Sequence, residues 1–218
     1  MSDNIAHPFF LPASAPQNTS RNQLRRHLRQ QRNALSPLQQ KHASQHLAKR
    51  LLANPDLYRA RHIAIYLPND GEISPLPYMQ AARRRGIRVY LPVLHPLIPG
   101  KLVFSPYTSH TRLLPNRFGI AEPAFTDGLK RPAWAMDAIL FPLVGFDEQG
   151  GRLGMGGGFY DRTFAFSRVR PQLSPKLIGL AHDFQKVENL PIETWDIPLH
   201  SVITERGCYR VVSRYPVG

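Results

Sequence analysis

Cysteine is nearly missing from this chain: Cys208 stands alone among 218 residues. One thiol excludes an internal disulfide and any zinc site built on several cysteines. It fits a reducing compartment, so a cytoplasmic protein is the expectation. Long apolar runs are missing too. None reaches the roughly 18 residues that a spanning helix needs, so no membrane segment is expected. Acidic residues are scarce beside basic ones, 15 against 28, which leaves a net charge of +13 and a sequence pI near 10.5. That surplus points to an anionic partner, and nucleic acid, a membrane surface and a small polyanion all satisfy it. Residues 1–19 contain no Lys or Arg and are broken by Pro8, Pro12 and Pro16. They do not read as a signal peptide and are expected to form a flexible tail. The remainder, 20–218, has the length of one domain, and such a chain buries about 70% of its unfolded surface without staples.

What is present begins with two capped helices. Ser20 with Gln23 forms a capping box, and Leu24, Leu28 and Leu35 fall within about 40° on a helical wheel. Arg21, Arg25, Arg29 and Arg32 occupy an adjacent arc of about 80°. Arg21 and Arg25 are read as facing a groove, Arg29 and Arg32 as solvated. Ser36, Pro37 and Gln39 announce a second helix running to about Ala53. The pattern then changes. His62–Leu67 is a short β-branched run, Asn69-Asp70-Gly71-Glu72 a loop, Ser74-Pro75 the start of a helix that stops at Gly86, and Ile87–Leu91 another strand. A strand, loop, helix and strand in this order form the unit that a parallel sheet requires. Asp137–Pro142 and Lys176–Ala181 read as further buried strands. Leu102–Phe104, Ser201–Thr204 and Cys208–Val212 read as shorter or edge strands. The expected fold is α/β, with a mostly parallel sheet and helices on both faces.

The most informative segment is Gly150-Gly151-Arg152-Leu153-Gly154-Met155-Gly156-Gly157-Gly158-Phe159-Tyr160-Asp161. It lies between a buried strand and a helix expected over about 158–167. Glycines there let backbone N–H groups converge on an anion, with a helix start behind them. Arg152 can add charge-assisted hydrogen bonds, and Asp161 offers the hard oxygen that Mg²⁺ prefers. There is no Gly-Lys-Ser/Thr, so this is not a Walker loop, and Phe159 stands where a dinucleotide fingerprint needs its last glycine. Among the histidines, His42 and His46 are four apart but belong to an exposed helix face and are read as solvated.

Arg152 to Asp161, preceded by Phe146-Asp147 and Gly150, resembles the signature of the 5-formyltetrahydrofolate cyclo-ligase family. Four further pieces resemble that family in the same order. They are Arg21-x-x-Leu24-Arg25, Gly71-Glu72-Ile73, Phe118-Gly119-Ile120-Ala121-Glu122-Pro123, and Trp195-Asp196-Ile197-Pro198-Leu199 with Val202-Ile203-Thr204 after it. Together they cover about residues 20–205.

The resemblance implies a three-layer α/β/α fold related to the sugar-isomerase and CoA-transferase folds. It implies ATP-dependent closure of 5-formyltetrahydrofolate to 5,10-methenyltetrahydrofolate through a phosphorylated formyl group, with ADP and phosphate released. ATP is the implied co-substrate and Mg²⁺ the implied ion, with Asp161 as the metal ligand. Arg21, Arg25, Arg152, Gly154, Met155, Gly156, Gly157, Gly158, Phe159 and Tyr160 take the nucleotide side. Arg25 and Arg152 act there by positioning and neutralising charge. Leu67, Glu72, Met155 and Phe159 take the folate side, and Glu72 can pair with adjacent N–H groups of the pterin ring.

The expected partner is the folate itself, with or without a polyglutamate tail, and the expected working unit a monomer that binds no nucleic acid. Two departures stand out. Gly157 replaces a basic residue of some relatives, so Arg162 or an N-terminal arginine is expected to cover that charge. His200 replaces a metal-holding Asp and is left out of the metal site, because neutral imidazole suits Mg²⁺ poorly. Two alternatives remain open on the residues alone: a basic nucleic-acid binder, and a sugar-phosphate isomerase or CoA transferase on a related fold.

Overall fold

The computed structural model describes residues 20–125, 128–190 and 196–211. The expected tail over 1–19, Trp195 and Val212 lie outside the described residues. Helix α1 spans Arg21–Asn33. Ser20 Oγ accepts the Gln23 N–H at 3.3 Å, and Gln23 Oε1 accepts the Ser20 N–H at 3.0 Å. Two donors that a first turn leaves without intrahelical partners are thereby satisfied. Helix α2, Pro37–Ala53, opens with the same box between Ser36 and Gln39 and carries Pro37 in its first turn. Leu35 does not extend the apolar stripe of α1 as its spacing predicted. Ser36 precedes proline and takes an extended conformation, so the chain leaves α1 at Asn33 and Leu35 falls, half-buried, in the connection.

A single turn, α3 at Pro55–Tyr58, leads into β1 at His62–Ala64. Helix α4, Leu76–Arg84, then returns the chain to β2 at Arg88–Leu94, with Gly86 supplying the positive φ that ends the helix. Strand β3, Leu102–Pro106, is followed by a small hairpin of β4, Leu113–Pro115, and β5, Ala121–Pro123. After β6, Ala138–Pro142, a second hairpin joins β7, Gly145–Phe146, to β8, Arg152–Leu153. The short helices α5, Phe159–Phe164, and α6, Phe166–Val169, precede β9 at Lys176–Leu180. The last strands are β10, Ser201–Ile203, and β11, Cys208–Arg210.

The main sheet has seven strands in the order β11-β10-β9-β6-β1-β2-β3. The inner strands run parallel, and only β3 and β11 at the edges are antiparallel to their neighbours. Alternation along the strands divides the core. Ile63, Val89, Leu140 and Ile178 face α2 and α4, whereas Ala64, Tyr90, Ile139 and Phe141 face Phe164 and the other layer. Both faces are covered, as a parallel sheet requires. Among the described residues no helix is long and apolar enough to cross a membrane.

Helix α1 belongs to neither layer. Its Leu24 and Leu28 pack with Val144, Leu153, Val187 and Leu190, on segments that follow the carboxyl ends of β6 and β9. Leu28 is 2% exposed, and deleting a side chain so enclosed leaves a cavity that the surroundings fill only partly. Leu28→Ala is expected to lower unfolding free energy by about 2–5 kcal/mol, read from urea denaturation. A loss under about 1 kcal/mol would show that α1 is not anchored through this residue.

Candidate active site

A cavity of about 1140 Å³ opens at the carboxyl ends of β1 and β6. From β1 the chain adds β2 on one side, while β6, β9 and β10 build the other side. Ligands of open α/β sheets bind at such a reversal of strand order, because the connecting loops diverge there and leave a crevice. The walls are the strand ends at Leu67 and Phe141 to Leu143, helix α1, the glycine loop and the β4–β5 hairpin. A second cavity, about 990 Å³, lies at the opposite, amino-terminal end near His62 and Arg88 and is lined by no carboxylate and no glycine loop.

One buried carboxylate shapes the approach to the glycine loop. Asp147 accepts the N–H groups of Gln149, Gly151 and Leu190 at 3.0, 2.7 and 2.9 Å. A side chain at Gly151 would meet Asp147 Oδ2 at 2.4 Å, so glycine is required for that approach. Further on, Gly158 takes φ +62° and starts α5 with no side-chain cap. An L-residue is strained in that conformation. Arg162 braces the loop, donating to the carbonyls of Gly157 and Gly100, and itself lines the cavity.

The arginines converge on this loop. Arg25 Nε donates to the Gly154 carbonyl at 2.8 Å and Nη1 to Asn22 at 2.6 Å. Burial and the neighbouring Arg21 guanidinium pull its pKa below the usual value, the signature of cations crowded where an anion would relieve them. Arg21 pairs with Asp196 at 3.4 Å. Arg152, 6% exposed, pairs with Asp161, whose Oδ1 also accepts the Ile197 N–H at 3.3 Å. The Arg152 guanidinium lies 5.9 Å from the Phe141 ring centre, and Tyr160 stacks on the same ring at 4.7 Å.

The other end of the cavity carries Glu72. Its side chain is 11% exposed; its Oε2 accepts the Asn69 N–H at 3.1 Å and its Oε1 lies 4.0 Å from Arg32. Burial pushes its pKa up to about 7, against the pull of Arg32. Asp70 beside it is held well below the usual carboxylate range by Arg29, with Asn33 and Arg32 adding to that effect. Between the two carboxylates, Gly71 takes φ +73°, and a Cβ there would stand 2.5 Å from Asn33 Oδ1. The hairpin supplies Phe118, which meets Phe159 edge to face at 5.6 Å.

Arg21, Arg25, Leu67, Glu72, Arg152, Gly154, Met155, Gly156, Gly157, Gly158, Phe159, Tyr160 and Asp161 all line this one cavity. His200 lies elsewhere, against Asp56 at 2.9 Å. Two expectations are corrected. Arg29 is not simply solvated: it pairs with Asp70 at 2.7 Å while 43% exposed. Arg32 is not solvated at all, because its guanidinium is fully enclosed between Asp70 and Glu72. Leu28 and Arg32 are four apart, on one face of the helix, and that spacing was the signal for its burial. Asp70 also escaped the sequence reading as a site-shaping residue, since Arg29 and Arg32 are distant in the chain; Asp196, weighed there as closing the site or capping a strand entry, pairs with Arg21 at the cavity.

Residues 17–205 match the family described as the 5-formyltetrahydrofolate cyclo-ligase family. The chain is 44% identical over 180 residues to the 5-formyltetrahydrofolate cyclo-ligase of Escherichia coli strain K12, covering 81% of this chain and 96% of that protein. It is 40% identical over 183 residues to the cyclo-ligase of Haemophilus influenzae, covering 84% and 96%. The solved 5,10-methenyltetrahydrofolate synthetase of Aquifex aeolicus superposes with a TM-score of 0.74 at 27% identity, over 91% of this chain and 96% of that one. The synthetase of Mycoplasma pneumoniae gives 0.67 at 26% identity, over 86% and 99%.

The raised pKa of Glu72 sets a pH-dependent stability. The folded state holds this proton up to about 7, the unfolded chain only to about 4.5. Between those values the folded state binds more protons, so the contribution of Glu72 falls as pH rises and is flat above about 7. Glu72→Gln is expected to be more stable than the parent by about 1–3 kcal/mol at pH 8, with the difference vanishing toward pH 4, as read by urea unfolding across pH. A difference that stays constant with pH would show that Glu72 titrates normally.

Proposed function

The chain belongs to the 5-formyltetrahydrofolate cyclo-ligase family, and from that premise we propose that it closes 5-formyltetrahydrofolate to 5,10-methenyltetrahydrofolate at the expense of ATP. It is an enzyme of the ligase class, and the rival readings as a non-catalytic nucleic-acid binder or an isomerase on a related fold fall with that membership. The reading is supported by one observation above all. A single cavity carries a glycine loop ringed by Arg21, Arg25 and Arg152 at one end and the enclosed carboxylate of Glu72 at the other.

The chemistry follows from those two ends. The formyl oxygen attacks the γ-phosphorus of ATP, the bond to the bridging oxygen breaks, and ADP leaves. The formyl carbon, now bearing a phosphate leaving group, takes the electron pair of the neighbouring folate nitrogen. Phosphate departs, the nitrogen's proton is lost, and the ring is closed. Phosphoryl transfer of this kind asks the protein for positioning and charge neutralisation more than for covalent chemistry. The backbone N–H groups of Gly154, Met155, Gly156, Gly157 and Gly158 receive phosphate oxygens. Arg25 and Arg152 exchange their contacts with Gly154 and Asp161 for the triphosphate, with Arg21 behind them. Leu67, Met155 and Phe159 wall the folate, Tyr160 backs the nucleotide loop, and Glu72 accepts paired N–H groups of the pterin ring.

Among the described residues no group of three or more His, Cys, Asp or Glu side chains could hold a metal alone. Asp161 would supply one hard oxygen to a Mg²⁺ carried by the triphosphate, with phosphate and water completing its shell. The chemistry such an ion would supply is neutralisation of charge on the transferring phosphoryl group. The same reading takes the working unit as a monomer that acts on a small folate, not on nucleic acid, in the reducing cytoplasm.

The test is appearance of methenyl-folate absorbance with 5-formyltetrahydrofolate, ATP and Mg²⁺. Arg152→Ala and Asp161→Ala are each expected to lose about 10²–10³-fold in kcat/KM while their circular dichroism stays that of the parent. If both folded variants remain near the parent, the glycine loop is not the phosphate site.

A further inference from the structure

Arg32 is an arginine on the apolar face of α1, and its side chain is 0% exposed. A guanidinium out of water is tolerated when its donors are met, and here they are met by the segment around Glu72. Nε donates to the Asp70 carbonyl at 2.6 Å, Nη2 to Asp70 Oδ2 at 2.6 Å and Nη1 to the Leu143 carbonyl at 3.5 Å. Nη2 also stands 4.0 Å from Glu72 Oε1 and 3.9 Å from Met155 Sδ.

The segment is tied to α1 at other points as well. Asn33 donates to Asp70 at 3.0 Å, and Gln40 bridges the Arg32 and Gly71 carbonyls at 3.3 and 3.0 Å. From the far side, His182 reaches the Gly71 carbonyl at 3.3 Å. Asp70 itself is held at φ +50°, unusual for a residue with a side chain.

We propose that Arg32 is a positioning residue for the cyclisation, holding Glu72 ionised and oriented so that its carboxylate accepts the paired N–H groups of the substrate's bicyclic ring. This rests on the reading of Glu72 as the substrate-side carboxylate. A neutral carboxyl would present a donor to a donor pair, so the interaction needs the anion. The groups that face Glu72 are Arg32 from α1, Asp70 in its own loop, Tyr66 beyond β1 and Tyr160 from α5. Both tyrosines are kept neutral by burial, and the Tyr66 hydroxyl donates to the Ile73 carbonyl. Arg32 and Asp70 therefore remain as the charged pair, and they act on Glu72 in opposite senses: Arg32 favours its anion and Asp70 opposes it.

The experiment is the pH dependence of the KM for 5-formyltetrahydrofolate in the parent, Arg32→Gln, Asp70→Asn and Glu72→Gln. In the parent, KM rises as pH falls through the titration of Glu72. Arg32→Gln is expected to move that rise up by about one pH unit, which raises KM about threefold at pH 7.5, and Asp70→Asn is expected to move it down. Glu72→Gln is expected to raise KM about tenfold or more at every pH and to abolish the inflection.

If Arg32 is merely structural, its folded variant weakens binding without moving the inflection, and that outcome overturns the inference. If Arg32→Gln does not fold, Arg32→Met, neutral and able to fill the same dry space, decides alone, an upward shift supporting the inference and an unmoved one overturning it. If Glu72→Gln leaves the folate KM unchanged, the substrate-side reading of Glu72 falls first. If Glu72→Gln behaves as expected but neither other variant moves the profile, only the role of Arg32 falls.

Discussion

The ion pair between Arg32 and Asp70 is the join on which the site depends. It links a helix that belongs to neither covering layer of the sheet to the loop that follows the first strand. Removing one member of a buried pair costs about 3–5 kcal/mol, because the other is left charged and dry. Asp70 keeps 22% exposure, so the lower end of that range applies. The consequence is geometric as much as energetic. The same α1 that meets Asp70 near its last turn presents Arg25 to the glycine loop and Arg21 to Asp196 near its first. A helix rises about 1.5 Å per residue, so this one element spans the cavity and sets the distance between its two ends.

Charge is handled locally within that frame. The chain carries a large basic surplus, yet Arg21, Arg25, Arg29, Arg32 and Arg152 are engaged with Asp196, the loop carbonyl of Gly154, Asp70 or Asp161. Such contacts hold guanidiniums in place at modest cost, and on the proposed reading a triphosphate with more charge and more acceptor oxygens replaces them. The opposite end uses a different device. Glu72 lies in an enclosed position that works against its own ionisation, with Arg32 as the compensating cation. On the proposed reading, one end takes anions and the other a neutral donor pair, as a reaction between a nucleotide and a pterin-type ring needs.

Much of the fold was legible because its determinants are local. Ser20 with Gln23 and Ser36 with Gln39 form the expected caps, since each box closes within four residues. The β-branched runs became inner parallel strands because their continuous apolar character suits burial on both faces. The strands came out a residue or more shorter than their apolar runs in several places, His62–Ala64 against an expected run to Leu67, because the chain turns off the sheet there to build the cavity wall. The glycine loop was legible for a similar reason. Glycine spacing encodes backbone freedom directly, and the resemblance to the cyclo-ligase family rests on those same residues.

Residue order was enough to establish the capped helices, the parallel sheet, the glycine loop and the family. Each of these is written in residues near one another or in a run that can be compared whole. Tertiary structure alone decided which arginines are wet and which are dry. Arg32 sits beside Leu28 on the helical wheel, but so does Arg21, and it is the arrival of Asp70, 38 residues beyond Arg32, that encloses Arg32. His200 is the same lesson in reverse. Its place near the family's metal-side segment suggested a role to weigh, and its contact with Asp56, 144 residues away, puts it elsewhere. Local sequence sets backbone preference, but burial and pairing of a charge depend on what the folded chain brings to it.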